Sequence, residues 1–146
     1  MNKNKIKQVI DACYKAKRIR DMLPSLPNGV TQSHIHYLDT ILKLESEVDE
    51  IKVSDLSNEL KLPRPSVTKT VKDMERLGFL VKENTECDGR VVFIKITALG
   101  KEMVDKYVNK YFSSLEEELN DISDKDADKM IEMIDKLYIV MNRRQQ

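Results

Sequence analysis

The chain has no tryptophan, and aromatic residues make up only 5% of its 146 residues. Leucine, isoleucine, valine and methionine must therefore fill the hydrophobic core. No apolar run approaches the roughly 20 residues that a membrane-spanning helix needs. The first residues, MNKNKIKQVIDACYKAKR, lack the continuous apolar segment of a secretory signal. We therefore predict a cytoplasmic protein without a membrane partner.

Cysteine and histidine are also scarce, which limits the chemistry available to the chain. Cys13 and Cys87 are the only cysteines and form no C-x-x-C pair, which excludes a zinc ribbon and gives no basis for a structural disulfide. His34 and His36 would point about 200° apart on a helix, so they cannot share one metal ion. No phosphate loop, dinucleotide fingerprint, H-E-x-x-H or G-x-S-x-G motif occurs. We predict that the protein is not an enzyme and needs no metal or cofactor.

Neither sign of charge is in excess, because 25 basic residues balance 25 acidic ones. This balance argues against a non-specific nucleic-acid coat. From Lys61 to Lys95, however, the segment contains eight basic residues and only five acidic ones. A local basic surface on a neutral body favours a specific, salt-sensitive binder. The length fits one domain that can bury a core without disulfides.

Two short helical patterns lie close together in the middle of the chain. The first begins near Ser54-Asp55 and places Val53, Leu56 and Leu60 on one face. The segment Leu62-Pro63-Arg64-Pro65 interrupts the pattern, and Pro65 suits the first turn of a new helix because it lacks an amide hydrogen. The second helix is predicted from about Pro65 to Leu77. Its apolar face is formed by Val67, Val71 and Met74, and Gly78 ends it.

The opposite face of this second helix carries cations and small hydroxyl groups. At about 100° per residue, Lys69, Lys72 and Arg76 cluster there, Ser66 and Thr68 flank them, and Arg64 stands at the helix entrance. Phosphates need the charge, and base edges need short polar groups that approach closely. A solvated amphipathic helix is the simpler interpretation. The preceding helix and tight turn favour a helix-turn-helix instead.

A β-hairpin pattern follows the second helix directly. Phe79 to Val81 is a short apolar run, Asn84 to Gly89 is rich in turn residues, and Val91 to Ile96 is a β-branched return strand. A hairpin at this place is typical of the wing in a winged helix. Arg90, just past the tip, is predicted to reach the minor groove or nearby phosphates. Asp88 is either a turn residue or the partner that orients Arg90.

These segments together resemble the winged helix-turn-helix of the MarR family of bacterial transcription regulators. The resemblance rests on SDLSNELKL, on PSVTKTVKDMERLGFL and on DGRVVFIKITALG, which matches the family's Asp-x-Arg wing. It implies a mainly α protein with a small β-wing that works as a homodimer on a palindromic DNA operator. It also implies a repressor that is released by a small ligand or by oxidation. A winged-helix protein-interaction module without DNA binding is the alternative.

Helical patterns flank this lobe on both sides. Before the helix-turn-helix, one helix is predicted from Asn4 to about Leu23 and a second from a Thr31 cap to about Leu44. After the hairpin, a long helix of about 20 residues is predicted to follow a Thr97 cap, and a last helix is predicted after Ser123. Residues 51–53 are predicted to form a strand that braces the wing. The flanking apolar faces exceed what a winged-helix core can bury, which predicts a dimer interface; a monomeric helical bundle is the alternative. We predict a single domain, 1–146, with a DNA-binding lobe at 31–97 and dimerisation helices at 1–30 and 98–146.

The signal that releases the DNA is predicted from the resemblance. The family often has a ligand crevice where the dimer helices meet the lobe, and the matching residues are Cys13, Lys17, His34, Tyr37 and Tyr107. A small aromatic or phenolic ligand would suit such a crevice. Zinc-responsive members place a ligand at the position of His34, but the histidine cluster they add is absent from Met103–Tyr107. Peroxide-sensing members use a comparable cysteine; the apolar stripe of Ile6, Val9 and Ile10 predicts a buried Cys13, which favours ligand release over oxidation.

Overall fold

The computed structural model describes residues 1–84 and 91–145 and is mainly α-helical. Within those residues the helices are α1 (Lys3–Asp21), α2 (Gln32–Glu45), α3 (Val53–Leu60), α4 (Arg64–Arg76), α5 (Ala98–Val104), α6 (Lys110–Leu115) and α7 (Asp124–Arg143). A π-helical turn, Asp105–Asn109, joins α5 to α6. The strands are β1 (Ile51–Lys52), β2 (Leu80–Asn84) and β3 (Val92–Ile96). The predicted fold class is confirmed. None of the helices in this part of the chain is long and apolar enough to cross a membrane.

Three predicted helix caps are confirmed. The Thr31 hydroxyl accepts a hydrogen bond from the His34 amide at 3.3 Å, and the Thr97 hydroxyl accepts one from the Gly100 amide at 3.1 Å. The Ser123 hydroxyl does the same for the Asp126 amide at 3.2 Å. Each cap satisfies an amide that has no partner within its helix.

The three strands form an antiparallel sheet in the order β1-β3-β2. Ile51 of β1 pairs with Ile94, which confirms the predicted brace for Ile51 and Lys52, whereas Val53 begins α3 instead. The β2–β3 hairpin pairs Leu80 with Ile96 at its base and Asn84 with Val92 at its outer end. The predicted turn at residues 85–90, which includes Cys87, lies outside the described residues.

The hydrophobic core lies between α2, α3, α4, α5 and the sheet. Its fully buried side chains are Leu38, Ile41, Ile51, Leu56, Val67, Val71, Met74, Leu80 and Val104. Ile35 is also buried, while Leu42 is only partly buried. The core therefore draws on the middle of the chain and fixes α4 against the rest of the lobe.

Helices α1 and α7 contribute no buried residue to this core. The prediction that Cys13 is buried is wrong for the single chain, because its side chain is exposed. Its thiol hydrogen-bonds to the Val9 carbonyl at 3.4 Å. The apolar stripe of α1 was identified correctly as a helix face, but no element among residues 1–84 and 91–145 buries it fully.

The predicted long helix after Thr97 is not a regular α-helix. At the π-turn the amide of Lys110 bonds to the carbonyl of Asp105, five residues earlier, and the two side chains pair at 2.9 Å. That pair lowers the pKa of the Asp105 carboxyl, chiefly through the hydrogen bond from Lys110. Tyr107 and Val108 of the turn pack against the lobe core. The π-turn thus lies where the lobe meets the C-terminal helices.

Candidate nucleic-acid interface

Helix α4 is fixed along one face and free along the other. Val67, Val71 and Met74 are fully buried, as the sequence pattern predicts. The helix begins after Pro63, with Pro65 in its first turn, and Gly78 follows it at φ +79°. A positive φ suits glycine, because a side chain there would be strained. The orientation of α4 is therefore set by its packing.

Four of the predicted DNA-binding residues meet on the exposed side of α4. Arg64, Thr68, Lys69 and Lys72 line one shallow depression together with Pro65. We call these four residues the α4 basic surface. Three cations surround one hydroxyl, so phosphate neutralisation and a close polar contact with a base edge are both available on one helix.

The remaining predicted DNA-binding residues are placed differently. Ser66 is exposed but lies outside the α4 basic surface, and its carbonyl accepts a hydrogen bond from the Thr70 hydroxyl at 3.2 Å. Arg76 lies in the last turn of α4, where its guanidinium pairs with Asp73 at 3.3 Å. Its charge is therefore partly compensated within the helix. Asp88 and Arg90 lie outside the described residues, so their predicted roles stay predictions.

A second concave surface lies beside the α4 basic surface and was missed by the sequence analysis. It is lined by Lys52, Val53, Ser54, Arg64, Thr68, Val91 and Val92. Lys52 carried no site signal in the sequence, because its short strand pattern indicates only a structural brace. The concavity arises from the pairing of β1 with β3, which brings three separate segments together.

The five predicted ligand-binding residues do not meet in one crevice of the single chain. Cys13 and Lys17 are exposed on α1, and Tyr37 is buried in the lobe core. Tyr107 lines a crevice of about 170 Å³ between the end of α1, α2 and the helices after the wing. The other residues of that crevice are Arg20, Leu23, Gln32, Ile35, His36, Asp39, Val108 and Phe112.

His34, the fifth predicted ligand residue, is part of a capping box. Its Nδ1 accepts a hydrogen bond from the Thr31 amide at 3.1 Å, while the Thr31 hydroxyl caps His34 in return. Burial lowers the pKa of His34; nearby Asp73 opposes this shift, and Arg76 adds to it. The accepting Nδ1 requires a neutral imidazole with its proton on Nε2.

Protonation of His34 should therefore destabilise the fold. Its pKa is about 6.5 in the unfolded chain and lower in the folded one. Between these two pKa values the unfolded chain binds more protons, so stability is lost as the pH falls below about 6.5. We expect the melting temperature of wild type to drop between about pH 7.5 and pH 5.5, and we expect His34→Gln to reduce that drop, because glutamine accepts the same hydrogen bond without titrating.

The matched control for this experiment is His36→Gln. His36 is exposed on the same helix, so its replacement should leave the pH dependence of wild type unchanged. Equal pH dependence in wild type and His34→Gln would contradict the role assigned to the capping box.

Comparison with known proteins gives a family match that covers the helix-turn-helix and the first strand of the hairpin. Residues 28–91 match the model of the MarR family. Over this region, which is less than half of the chain, the sequence is similar to the MarR family. The described parts of the matched region hold α2, α3, α4 and β2, and therefore the α4 basic surface.

Similarity to individual curated proteins is distant. The chain is 24% identical over 106 residues to YdgJ of Bacillus subtilis, named an uncharacterized HTH-type transcriptional regulator; the alignment covers 73% of this chain and 62% of YdgJ. A second curated relative is matched over 56% of its length, so the matches span less than two thirds of these two proteins.

Solved structures confirm the fold over nearly the whole chain. Streptococcus pneumoniae FabT in complex with DNA superposes with a TM-score of 0.68 at 18% identity, covering 97% of this chain and 99% of FabT. Bordetella bronchiseptica BpsR, whose DNA binding is regulated by 6-hydroxynicotinic acid, gives a TM-score of 0.65 at 10% identity, covering 92% of this chain and 98% of BpsR. The winged helix and its flanking helices therefore occur together in these solved structures as well.

Proposed function

We propose that the protein is a homodimeric, sequence-specific DNA-binding transcription regulator that acts as a repressor in the cytoplasm. The observation that carries this proposal is the α4 basic surface, on a helix whose opposite face is locked into the core. A rigid helix with clustered cations can enter the major groove without rearranging. The names of the relatives and the solved DNA complex of FabT support the same function.

The proposed homodimer would use the helices outside the lobe. Most large apolar side chains of α7 are exposed in the single chain, as are Tyr14 and Ile19 of α1 and Met22 just after it. Apolar surface of this extent marks an interaction site. A two-fold dimer built on it would present two copies of α4 about 34–36 Å apart, one turn of DNA, which fits a palindromic operator.

The proposed signal is a small aromatic or phenolic ligand bound in the crevice beside Tyr107. Arg20, Gln32, His36 and Asp39 supply polar groups there, and Leu23, Ile35, Val108 and Phe112 supply apolar walls. Regulation of BpsR by an aromatic acid supports this class of ligand. The predicted residues Cys13, Lys17, His34 and Tyr37 do not line the crevice in one chain, so this proposal rests on Tyr107 and its neighbours.

Release by oxidation is the second candidate for the signal. The exposure of Cys13 removes the main argument against it, which was burial of the thiol. A thiol that senses peroxide must be reachable by it. A second copy packed on α1 would cover part of the same helix, so dimerisation and access to Cys13 are linked.

The direct test of DNA binding is Lys69→Ala. DNA from the region upstream of the protein's own gene serves as the candidate operator. Loss of a base-contacting side chain costs on the order of 1–3 kcal/mol, while loss of a phosphate contact mainly reduces the salt dependence. We therefore expect weaker binding by Lys69→Ala, roughly 5- to 150-fold for a base contact, measured by fluorescence anisotropy at several salt concentrations.

Lys101→Ala is the matched control because it removes an equal charge from the last turn of α5, outside the α4 basic surface. It should bind as wild type does. If wild type fails to bind this DNA and genomic selection recovers no specific site, DNA binding is refuted. The winged-helix protein-interaction module then becomes the better proposal.

A further inference from the structure

The concavity beside the α4 basic surface combines two cations with an apolar wall. Its volume is about 300 Å³. Lys52 comes from β1 and Arg64 from the start of α4, and Ser54 of α3 and Thr68 of α4 add hydroxyl groups to the lining. Val53, Val91 and Val92 complete it. Because Arg64 and Thr68 line both depressions, the two surfaces are continuous.

The position of Lys52 is fixed by its backbone. Lys52 pairs with Phe93 across the sheet, and its amide donates a hydrogen bond to the Asp55 carboxylate at 2.8 Å. Neither Lys52 nor Arg64 forms an ion pair within 4 Å with another residue among 1–84 and 91–145. Among these residues, no carboxylate neutralises either side chain at close range.

Phosphate flanked by deoxyribose suits this combination of groups. The phosphate is anionic and takes ammonium, guanidinium and hydroxyl donors, whereas the sugar presents carbon atoms to apolar side chains. DNA seated on the α4 basic surface continues past both ends of the helix, so its backbone would cross the adjoining concavity. We propose that Lys52, together with Arg64, holds a phosphate of the DNA backbone there.

This inference rests on the proposed function and adds a positioning residue to it. Phosphate contacts set the register and orientation of a protein on the duplex and carry no direct sequence information. Lys52 is anchored by the sheet, and α4 is anchored by the core. A phosphate held between them would fix how α4 enters the groove.

The test compares Lys52→Ala with wild type on operator DNA and on a scrambled duplex, at several salt concentrations. One lost phosphate contact reduces the salt slope by about 0.9, which corresponds to roughly eightfold weaker binding at about 0.1 M salt. We expect this loss on both duplexes, with the ratio of operator to scrambled affinity unchanged. Lys95→Ala is the control, since it removes an exposed lysine from the same sheet but outside the concavity.

A scan of single methylphosphonate substitutions in the operator makes the test sharper. Neutralising the phosphate that Lys52 contacts should weaken DNA binding by wild type. The same substitution should leave DNA binding by Lys52→Ala unchanged. Circular dichroism and melting temperature establish that the variant is folded. Inorganic phosphate at matched ionic strength should not compete with DNA; competition in wild type that disappears in Lys52→Ala would identify a site for free anions and overturn the proposal.

The failure of this inference differs from the failure of the proposed function. If Lys52→Ala keeps the salt slope and affinity of wild type while Lys69→Ala binds more weakly, the concavity does not hold DNA and the function stands. If wild type shows no salt-dependent DNA binding at all, the function itself fails.

Discussion

Ile134→Glu should sediment as a single chain at micromolar concentration and lose most of its operator affinity. Ile134 lies in the middle of an exposed apolar stripe on α7 that also contains Met130, Ile131, Tyr138 and Met141. A carboxylate at the centre of a buried interface has no partner and is strongly unfavourable. Loss of the dimer removes the second half-site contact, and bivalent binding is worth about 10²–10⁴ in affinity. Analytical ultracentrifugation and anisotropy measure the two effects.

Lys136→Glu provides the control for this variant. It introduces the same side chain about 200° around the helix from Ile134. We expect it to remain a dimer and to bind DNA. A dimeric Ile134→Glu protein would show that α7 is not central to the interface, and a wild type that is itself monomeric would refute the proposed homodimer.

Gly100→Ala should lower the free energy of unfolding by about 1–3 kcal/mol, the usual cost of overpacking. A Cβ at this position would lie 2.5 Å from the Phe79 carbonyl oxygen and 2.7 Å from Cγ1 of Ile96. The carbonyl cannot easily move, because it accepts a hydrogen bond from the Thr97 amide at 3.0 Å. Destabilisation by Gly100→Ala would be informative, because alanine normally stabilises a helix relative to glycine by about 1 kcal/mol. The expected change in the free energy of unfolding thus has the opposite sign to the usual helix preference.

The comparison variant for Gly100→Ala is Glu102→Ala, an exposed position in the same helix. Its stability in urea should stay within about 0.5 kcal/mol of wild type. A stabilised Gly100→Ala protein would contradict the close packing of α5 on the wing and on the end of α4.

The features predicted correctly from the sequence depend on local patterns. The spacing of Val67, Val71 and Met74 fixes the buried face of α4, and the opposite face follows from helix geometry alone. The caps at Thr31, Thr97 and Ser123 were also predictable, because a cap is a hydrogen bond within one turn. The family match confirms the resemblance on which the functional prediction rests.

The features that were missed depend on contacts between distant segments. Lys52 joins the candidate interface only because β1 pairs with β3, forty residues later in the chain. His34 was predicted from resemblance to line a ligand crevice, but the structure uses its Nδ1 in a capping box. Burial of Cys13 was inferred from an apolar stripe, and such a stripe identifies a face without identifying what covers it. The π-turn has no dependable signature in residue spacing.

The π-turn also determines where this gene can change in length. Five residues, Asp105–Asn109, occupy a stretch that holds about one residue more than the regular α-helical path. Removing one codon there converts the turn to α-helix and leaves α6 and α7 in nearly the same orientation. Removing one codon from α5 or α6 instead rotates every later residue by about 100°. Among homologues that keep this architecture, single-residue length differences in the helix after the wing are therefore expected to fall at residues 105–109.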